Sequence, residues 1–237
     1  MRAVVLAAGR GTRLGSLTGD LPKPLLPVAG VPILIQNLQL LARSGVTDVA
    51  INLHHQGSVI RSAIGDGSGL GVSVRYSEEA ELLGTAGGVQ RAEALLPSTW
   101  PLLVVYGDNL VRFSIERMLD SHRTQDAAAT IAVHRIADVR GSGRVTFTEA
   151  GRATQYVEKP PLGEAQPGWV NAGVYLLEQV VVAAIPEGKP ADFGYDVFPR
   201  TVAEGIGVFV HRLTGSEAVY GVDTPARYRA TLELLAQ

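Results

Sequence analysis

The run Ala3-Val4-Val5-Leu6 passes without a break into a loop that holds Gly9, Gly11, Thr12, Arg13 and Gly15, and then Lys23 between Pro22 and Pro24. A short, apolar, β-branched run bounded by glycines reads as a buried first strand ending in a turn. Glycines at that point let backbone N–H groups approach a phosphate chain, because no Cβ blocks the approach and a positive φ costs little. Arg13 can grip phosphate oxygens with a planar fork of donors, and Lys23 adds a compact positive charge on a proline-stiffened segment. The plainer alternative is a flexible loop after an edge strand. Two cations in the same frame favour the anion-binding reading.

Spacing excludes two familiar phosphate loops. Gly9, Gly11 and Gly15 miss G-x-G-x-x-G by one residue, no acidic residue closes a second strand at the distance needed for a ribose, and no G-K-[ST] is present. At 237 residues and 46% hydrophobic, the chain can bury a full core. A net charge of −2 offers no global field for nucleic acid or an anionic membrane. The absence of cysteine removes disulfides, thiolate metal sites and a cysteine nucleophile. With no apolar run of membrane-spanning length and no signal-like start, the expectation is a cytoplasmic protein.

Along the chain, strand-like and helix-like patterns alternate. Leu34, Leu38 and Leu41 recur at helical spacing between Pro32 and Gly45. Strands are expected at Asp48 to Leu53, Val72 to Tyr76 and Leu102 to Tyr106, with helices around Val59 to Ile64 and up to Leu96. This rhythm predicts an α/β fold: a Rossmann-like, mostly parallel mixed sheet flanked by helices, with ligands beyond the carboxyl ends of the strands. From Ala127 onward strands predominate, at Thr130 to Val133, Val145 to Phe147, Thr154 to Val157 and Val170 to Leu176. They are expected to extend the sheet and to form a small β annex over the crevice, before a last helix from Pro225 to Leu235. The organisation expected is one domain over 1–237, with a first half at 1–126 and a second at 127–237.

Asp108 follows the most apolar strand in Gly107-Asp108-Asn109, where a carboxylate can hold a hard cation; a turn or capping role before Ser114 is the alternative. Asp223, just before Pro225, is a second such carboxylate, unless it or Thr224 caps the last helix. Glu158-Lys159-Pro160 can be a solvated strand end. Leu83-Gly84-Thr85-Ala86-Gly87-Gly88 can be an ordinary helix start or a loop with free N–H groups for a base edge. Glu78, Glu79 and Glu81 read by themselves as a solvated acidic edge. The histidines lack metal spacing, and Ser16 and Thr12 lack a histidine partner.

Gly9-Arg10-Gly11-Thr12-Arg13-Leu14, with Pro22-Lys23, resembles the G-x-G-T-R-L and P-K signature of the sugar-1-phosphate nucleotidyltransferases. Glu158-Lys159-Pro160 and Asn171-Ala172-Gly173-Val174-Tyr175 resemble that family's E-K-P and N-x-G-[VLI]-Y segments, so the resemblance runs over essentially the whole chain. It implies catalytic roles for Arg13 and Lys23. It places the nucleotide against Leu6, Ala7, Ala8, Gly9, Gly11, Thr12, Glu79, Gly84, Thr85 and Gly107. Gly143, Glu158, Lys159 and Asn171 fall on the sugar phosphate, and Asp108 and Asp223 on Mg²⁺. One departure concerns the D-[IV]-G-T frame of many members, whose aspartate would fall on Gly221; a G-V-[DN] frame, found in other branches, fits Asp223.

The implied reaction joins a nucleoside triphosphate and a sugar 1-phosphate into an NDP-sugar and pyrophosphate. The Gly-Thr-Ala-Gly loop looks most like branches using GTP with mannose- or heptose-type 1-phosphates. Uridylyl- and thymidylyltransferases, a cytidylyltransferase acting on an alcohol phosphate, and a non-catalytic nucleotide-sugar-binding subunit are the alternatives. The partners expected are these two substrates, with neither nucleic acid nor membrane, and a homo-oligomer is left open.

Overall fold

The computed structural model describes residues 1–9, 11, 14, 21–161, 163 and 166–235. The run read as the first strand is β1 (Arg2–Leu6), and it lies inside a nine-stranded sheet. A 3-10 turn at Lys23–Leu25 and the small ribbon β2 (Pro27–Val28) and β3 (Val31–Pro32) lead into α1 (Ile33–Arg43). Then come β4 (Asp48–Leu53), α2 (Gly57–Ile64), β5 (Ser73–Glu78), α3 (Gly84–Glu93) and β6 (Leu102–Tyr106). β5, β4, β1 and β6 lie side by side and parallel, with Leu6 level with both Asn52 and Tyr106. Their interior residues are apolar on both faces because helices cover both. One core cluster gathers Val5, Leu38, Ile51 and Val105, and another gathers Val4, Ala50, Val89 and Val104.

After β7 (Asn109–Arg112) and α4 (Ile115–Thr124), β8 (Ala129–Ile136), β9 (Gly143–Phe147), β10 (Ala153–Glu158) and β11 (Gly168–Leu177) follow, then α5 (Gln179–Ala183) and α6 (Phe198–Ala203). β12 (Val208–Arg212), β13 (Ala218–Gly221) and α7 (Pro225–Leu235) end the chain. The strands β8 to β12 join the main sheet, so the later strands extend it as the alternation predicts. Two ribbons stand apart from it among the described residues, that of β2 and β3 and that of β7 and β13. β7, β12 and the short helices α5 and α6 were not expected from the pattern.

β11 is the hinge of the architecture. Its C-terminal half runs antiparallel to β6, with Val174 opposite Val105, and its N-terminal part meets β9, with Val170 opposite Arg144. Between these stretches its register against β8 shifts, between Asn171 and Tyr175. Gly173 occupies the shift with φ of 76°. A Cβ there would stand 2.9 Å from Tyr106 Cγ, so only glycine lets β11 pass over the end of β6. Where β6 stops and β9 takes its place, a crevice opens at the carboxyl ends of the parallel strands.

Candidate active site

Two adjoining hollows make up the crevice. The smaller, about 260 Å³, is bordered by the end of β1 (Leu6, Ala7, Ala8, Gly9), by Asn52 and Glu79, and by Gly84 and Thr85 at the start of α3. The larger, about 920 Å³, takes in Gly143, Glu158, Lys159, Asn171 and Asp223. Lys23, Thr85, Tyr106, Asp108 and Asp192 belong to both. The structure therefore brings together the described residues that the motifs nominate, apart from Gly11 and Gly107, which shape the loops around the hollows. Thr12 and Arg13 lie outside the described residues.

Lys23 sits at the junction. Pro22 starts the 3-10 turn, and Leu25 N donates to its carbonyl, fixing the lysine stem. The side chain is only 7% exposed, and Nζ donates to Asp108 Oδ2 at 2.6 Å. Asp108 is held from behind, since Asn37 on α1 donates to Asn109 O at 2.7 Å and accepts from Val111 N. Gly107 N donates to Leu6 O at 2.9 Å, and a Cβ on Gly107 would press on Val5 at 2.8 Å. The turn after β6 is thus pinned against the end of β1. Gly11 turns with φ of 62° beside Lys23 Cβ.

A buried polar brace underlies the smaller hollow. Asn52 accepts from Ala7 N at 2.7 Å and donates to Glu79 Oε1 at 2.7 Å, while Glu79 Oε2 accepts from Leu83 N at 2.9 Å. Glu79 is buried, which corrects the solvated acidic edge expected there; both of its carboxylate oxygens hold backbone or brace partners. Gly88 gives the brace room, as a Cβ would come within 2.7 Å of Asn52 Nδ2.

The start of α3 also differs from expectation. Ala86 N and Gly87 N both donate to Ala191 O, at 2.9 and 3.2 Å, so these two amides are already satisfied by the chain. Gly84 and Gly87 are glycines because segment 189–191 lies against them; a Cβ on Gly87 would be 2.7 Å from Lys189 O. Thr85 Oγ1 donates to Asp192 Oδ2 at 2.8 Å and accepts from Phe193 N.

On the larger hollow the polar groups form a chain of side chains. The Tyr106 ring stands edge-on to that of Tyr175, with centroids 5.7 Å apart. Asn171 Nδ2 donates to the hydroxyls of Tyr175 and Tyr156, at 2.6 and 3.1 Å, and its Oδ1 accepts from Gly173 N. Tyr156 donates to Glu158 Oε2 at 3.2 Å. Both amide protons of Asn171 are spent on phenols, so it organises the wall instead of facing a sugar with a spare donor. Glu158 is half-buried, and that burial, with Asp192 nearby, raises its carboxyl above the ordinary glutamate value. This corrects the solvated strand end for Glu158, whereas Lys159 is exposed. Burial raises the phenols of Tyr106 and Tyr156 too, so both stay protonated donors. Lys159 turns back with φ of 46° and sets Nζ 5.5 Å from the Tyr195 ring centroid.

Asp223 lies at the far rim, where Arg227 Nη1 meets Oδ1 at 3.0 Å. Thr224 Oγ1 accepts from Arg227 N at 3.3 Å, so the hydroxyl caps α7 and Asp223 is not needed for that task. Asp108 likewise has no capping duty, because Ser114 accepts from Arg117 N. No cluster of three metal-ligating His, Cys, Asp or Glu occurs among the described residues. Nor is any helix among them long and apolar enough to cross a membrane. Sequence reasoning missed Asn52, Asp192 and the tyrosines; the signal available for Asn52 was a polar residue inside the apolar run of β4.

The nucleotidyl transferase family profile matches residues 2–215. The chain belongs to that family. It is 36% identical over 206 residues to a mannose-1-phosphate guanylyltransferase of Mycobacterium tuberculosis, covering 86% of this chain and 56% of that one. It is 33% identical over 218 residues to a UTP–glucose-1-phosphate uridylyltransferase of Synechocystis, covering 87% and 56%. The chain thus spans about half the length of these curated relatives. HddC from Yersinia pseudotuberculosis, solved in complex with GMP-PN, superposes with a TM-score of 0.80 at 24% identity and 99% coverage of both chains. A putative glucose-1-phosphate thymidylyltransferase from Bacillus anthracis gives 0.85 at 21% identity, covering 99% of this chain and 94% of that one. These two likenesses establish the shared fold.

Proposed function

We propose that this nucleotidyl transferase joins a nucleoside triphosphate to a sugar 1-phosphate, releasing pyrophosphate. The observation that carries the reading is the Lys23–Asp108 pair at the junction of two hollows. One hollow is walled by the glycine loop after β1, the other by Glu158, Lys159 and Asn171. Residues 1–126 then act as the nucleotide half and 127–237 as the sugar half of one domain. An oxygen of the sugar phosphate attacks the α-phosphorus, a new P–O bond forms, and the bond to the β-phosphate breaks with its electron pair leaving on pyrophosphate. No protein nucleophile is required; positioning and charge neutralisation carry the reaction.

Lys23 meets the α-phosphate, Lys159 the attacking phosphate, and Arg13 the departing pyrophosphate. Glu158 accepts from sugar hydroxyls. Asp108 and Asp223 border the same hollow with hard carboxylate oxygens, a donor set suited to Mg²⁺, which takes few carboxylates and completes its shell with phosphate oxygens and water. Bound there, the ion would offset the phosphates' mutual repulsion. We assign GTP with a mannose- or heptose-type 1-phosphate, supported by the base loop and the Mycobacterium relative. The Synechocystis relative supports UTP as the second reading.

The test is pyrophosphate release from five nucleoside triphosphates, each with Mg²⁺ and a panel of sugar 1-phosphates. One productive pair, with GTP the best donor, is the expected result. Release with UTP alone would move the chain to the second reading. Binding without release from any pair would make it a non-catalytic nucleotide-sugar binder.

A further inference from the structure

The larger hollow continues past the residues assigned above into a cleft between β8 and α7. His134 and Ile136 project from alternate positions of β8 and share a face with Val170, which pairs with His134 across the strands. Arg227 and Thr231 of α7 form the opposite wall. No motif and no role above uses His134.

Its imidazole is asymmetric in its surroundings. Nδ1 is sealed from solvent and has no hydrogen-bond partner among the described residues. The ring is nevertheless partly exposed and borders the cleft. An orphaned N–H in a dry site costs more than an orphaned lone pair, so the proton belongs on Nε2 and the lone pair on the sealed Nδ1. Burial, reinforced by the positive Arg227 guanidinium, disfavours the charged imidazolium. The cleft is thus offered a neutral N–H donor at a fixed place. A sugar, rich in hydroxyl and ring oxygens, is the ligand class such a donor suits.

We propose that His134, as a neutral imidazole protonated on Nε2, hydrogen-bonds the sugar of the acceptor in the cleft between β8 and α7 and is a specificity-determining residue. The proposal rests on the sugar-phosphate reading of the larger hollow. Glu158 and Lys159 would hold one end of the acceptor, and His134 would read the portion that reaches toward α7.

Amide substitutions separate the two nitrogens, because His134→Gln can place an N–H near the position of Nε2, whereas His134→Asn can replace only Nδ1. With the full chain, Mg²⁺ and the productive substrate pair, His134→Phe and His134→Asn should raise KM for the sugar 1-phosphate about 10- to 100-fold, as loss of one well-placed hydrogen bond does. KM for the nucleotide should hold steady, and His134→Gln should stay within about threefold of the parent. An unchanged sugar KM in His134→Phe, or an equal rise for both substrates, overturns the assignment. The imidazole tautomer, read by nitrogen-15 NMR on the unliganded chain, needs no turnover. A proton found on Nδ1 refutes the proposal even if the transferase reading stands. A proton on Nε2 in a chain that releases no pyrophosphate supports the tautomer argument while the function assay fails on its own terms.

Discussion

The parallel and antiparallel halves of the sheet hold their parts of the crevice by different means. On the parallel side, a backbone loop is fixed by a buried brace: Asn52 and Glu79 tie the end of β1 to the entry of α3, and Gly88 leaves no spare volume around them. On the antiparallel side, the wall is a relay of side chains from Tyr175 through Asn171 and Tyr156 to Glu158, with the Tyr106 ring edge-on against Tyr175. A braced backbone offers one shape, which suits a phosphate chain common to all nucleoside triphosphates. A relay of phenols and an amide can be altered one side chain at a time, which suits the part of the substrate that varies. Lys23 and Asp108 stand where the two designs meet.

The largest effect should come from that meeting point. Lys23→Ala removes the cation shared by both hollows, and turnover should fall about 10²- to 10³-fold with the fold intact by circular dichroism. Retention of parental turnover would mean that the two halves do not converge on Lys23.

Two glycine substitutions then compare the halves directly. Gly88→Ala puts a methyl 2.7 Å from Asn52 Nδ2 and 2.8 Å from Glu79 Oε1, both fully engaged and buried. Helix propensity returns about 1 kcal/mol, but a broken buried brace costs more, and a net loss of about 2 kcal/mol in urea unfolding is expected, with nucleotide KM raised. Gly143→Ala drives its methyl into the hydroxyl of the buried Tyr156 and to 2.6 Å from Glu158 Oε2, so a phenol and the carboxylate at the end of the relay must both shift. Overpacking against Tyr156 should cost about 1–3 kcal/mol here as well, but it is KM for the sugar phosphate that should rise, about tenfold, with nucleotide KM held. If both variants raised the same KM, the distinction between brace and relay would fail.

The smallest effect is a pH dependence. The folded pKa of Glu158 is raised above the ordinary glutamate value of about 4.5, first by burial. Below pH 4.5 the carboxyl is protonated whether the chain is folded or not. As pH rises through the interval up to the raised folded value, the unfolded chain ionises first, and the folded state loses stability. Glu158→Gln is free of this loss. Its advantage over the parent in denaturant midpoint should be nil at pH 4 and positive at pH 7, whereas an advantage that shrinks with rising pH would mean the carboxylate is stabilised in place.

Much of the fold was legible because its signals are local. The apolar runs of β1, β4 and β6, the spacing in α1, and the glycines after β1 each follow from neighbours in sequence. Lys23, Asp108, Glu158 and Lys159 were legible as chemistry out of place at strand ends. What was hidden depends on distant partners. Glu79 looks solvated beside Glu78 and Glu81 until Asn52 arrives from another strand, and Thr85 looks like a helix start until Asp192 reaches it. β7 and β13 pair across about a hundred residues, and neither is long enough to declare itself alone. Asn171 reads as a sugar ligand in its motif, yet the bulge at Gly173 turns its amide toward two phenols.

The carbonyl of Ala191, closed over the first turn of α3, has a consequence for anyone wishing to exchange donor preference between relatives. The loop that begins at Gly84 is only half of a two-piece socket, and its other half arrives from a stretch of chain far downstream. A transplant of residues 79–88 alone would leave the graft without its counterpart; segment 189–192 has to travel with it for the chimera to keep its shape.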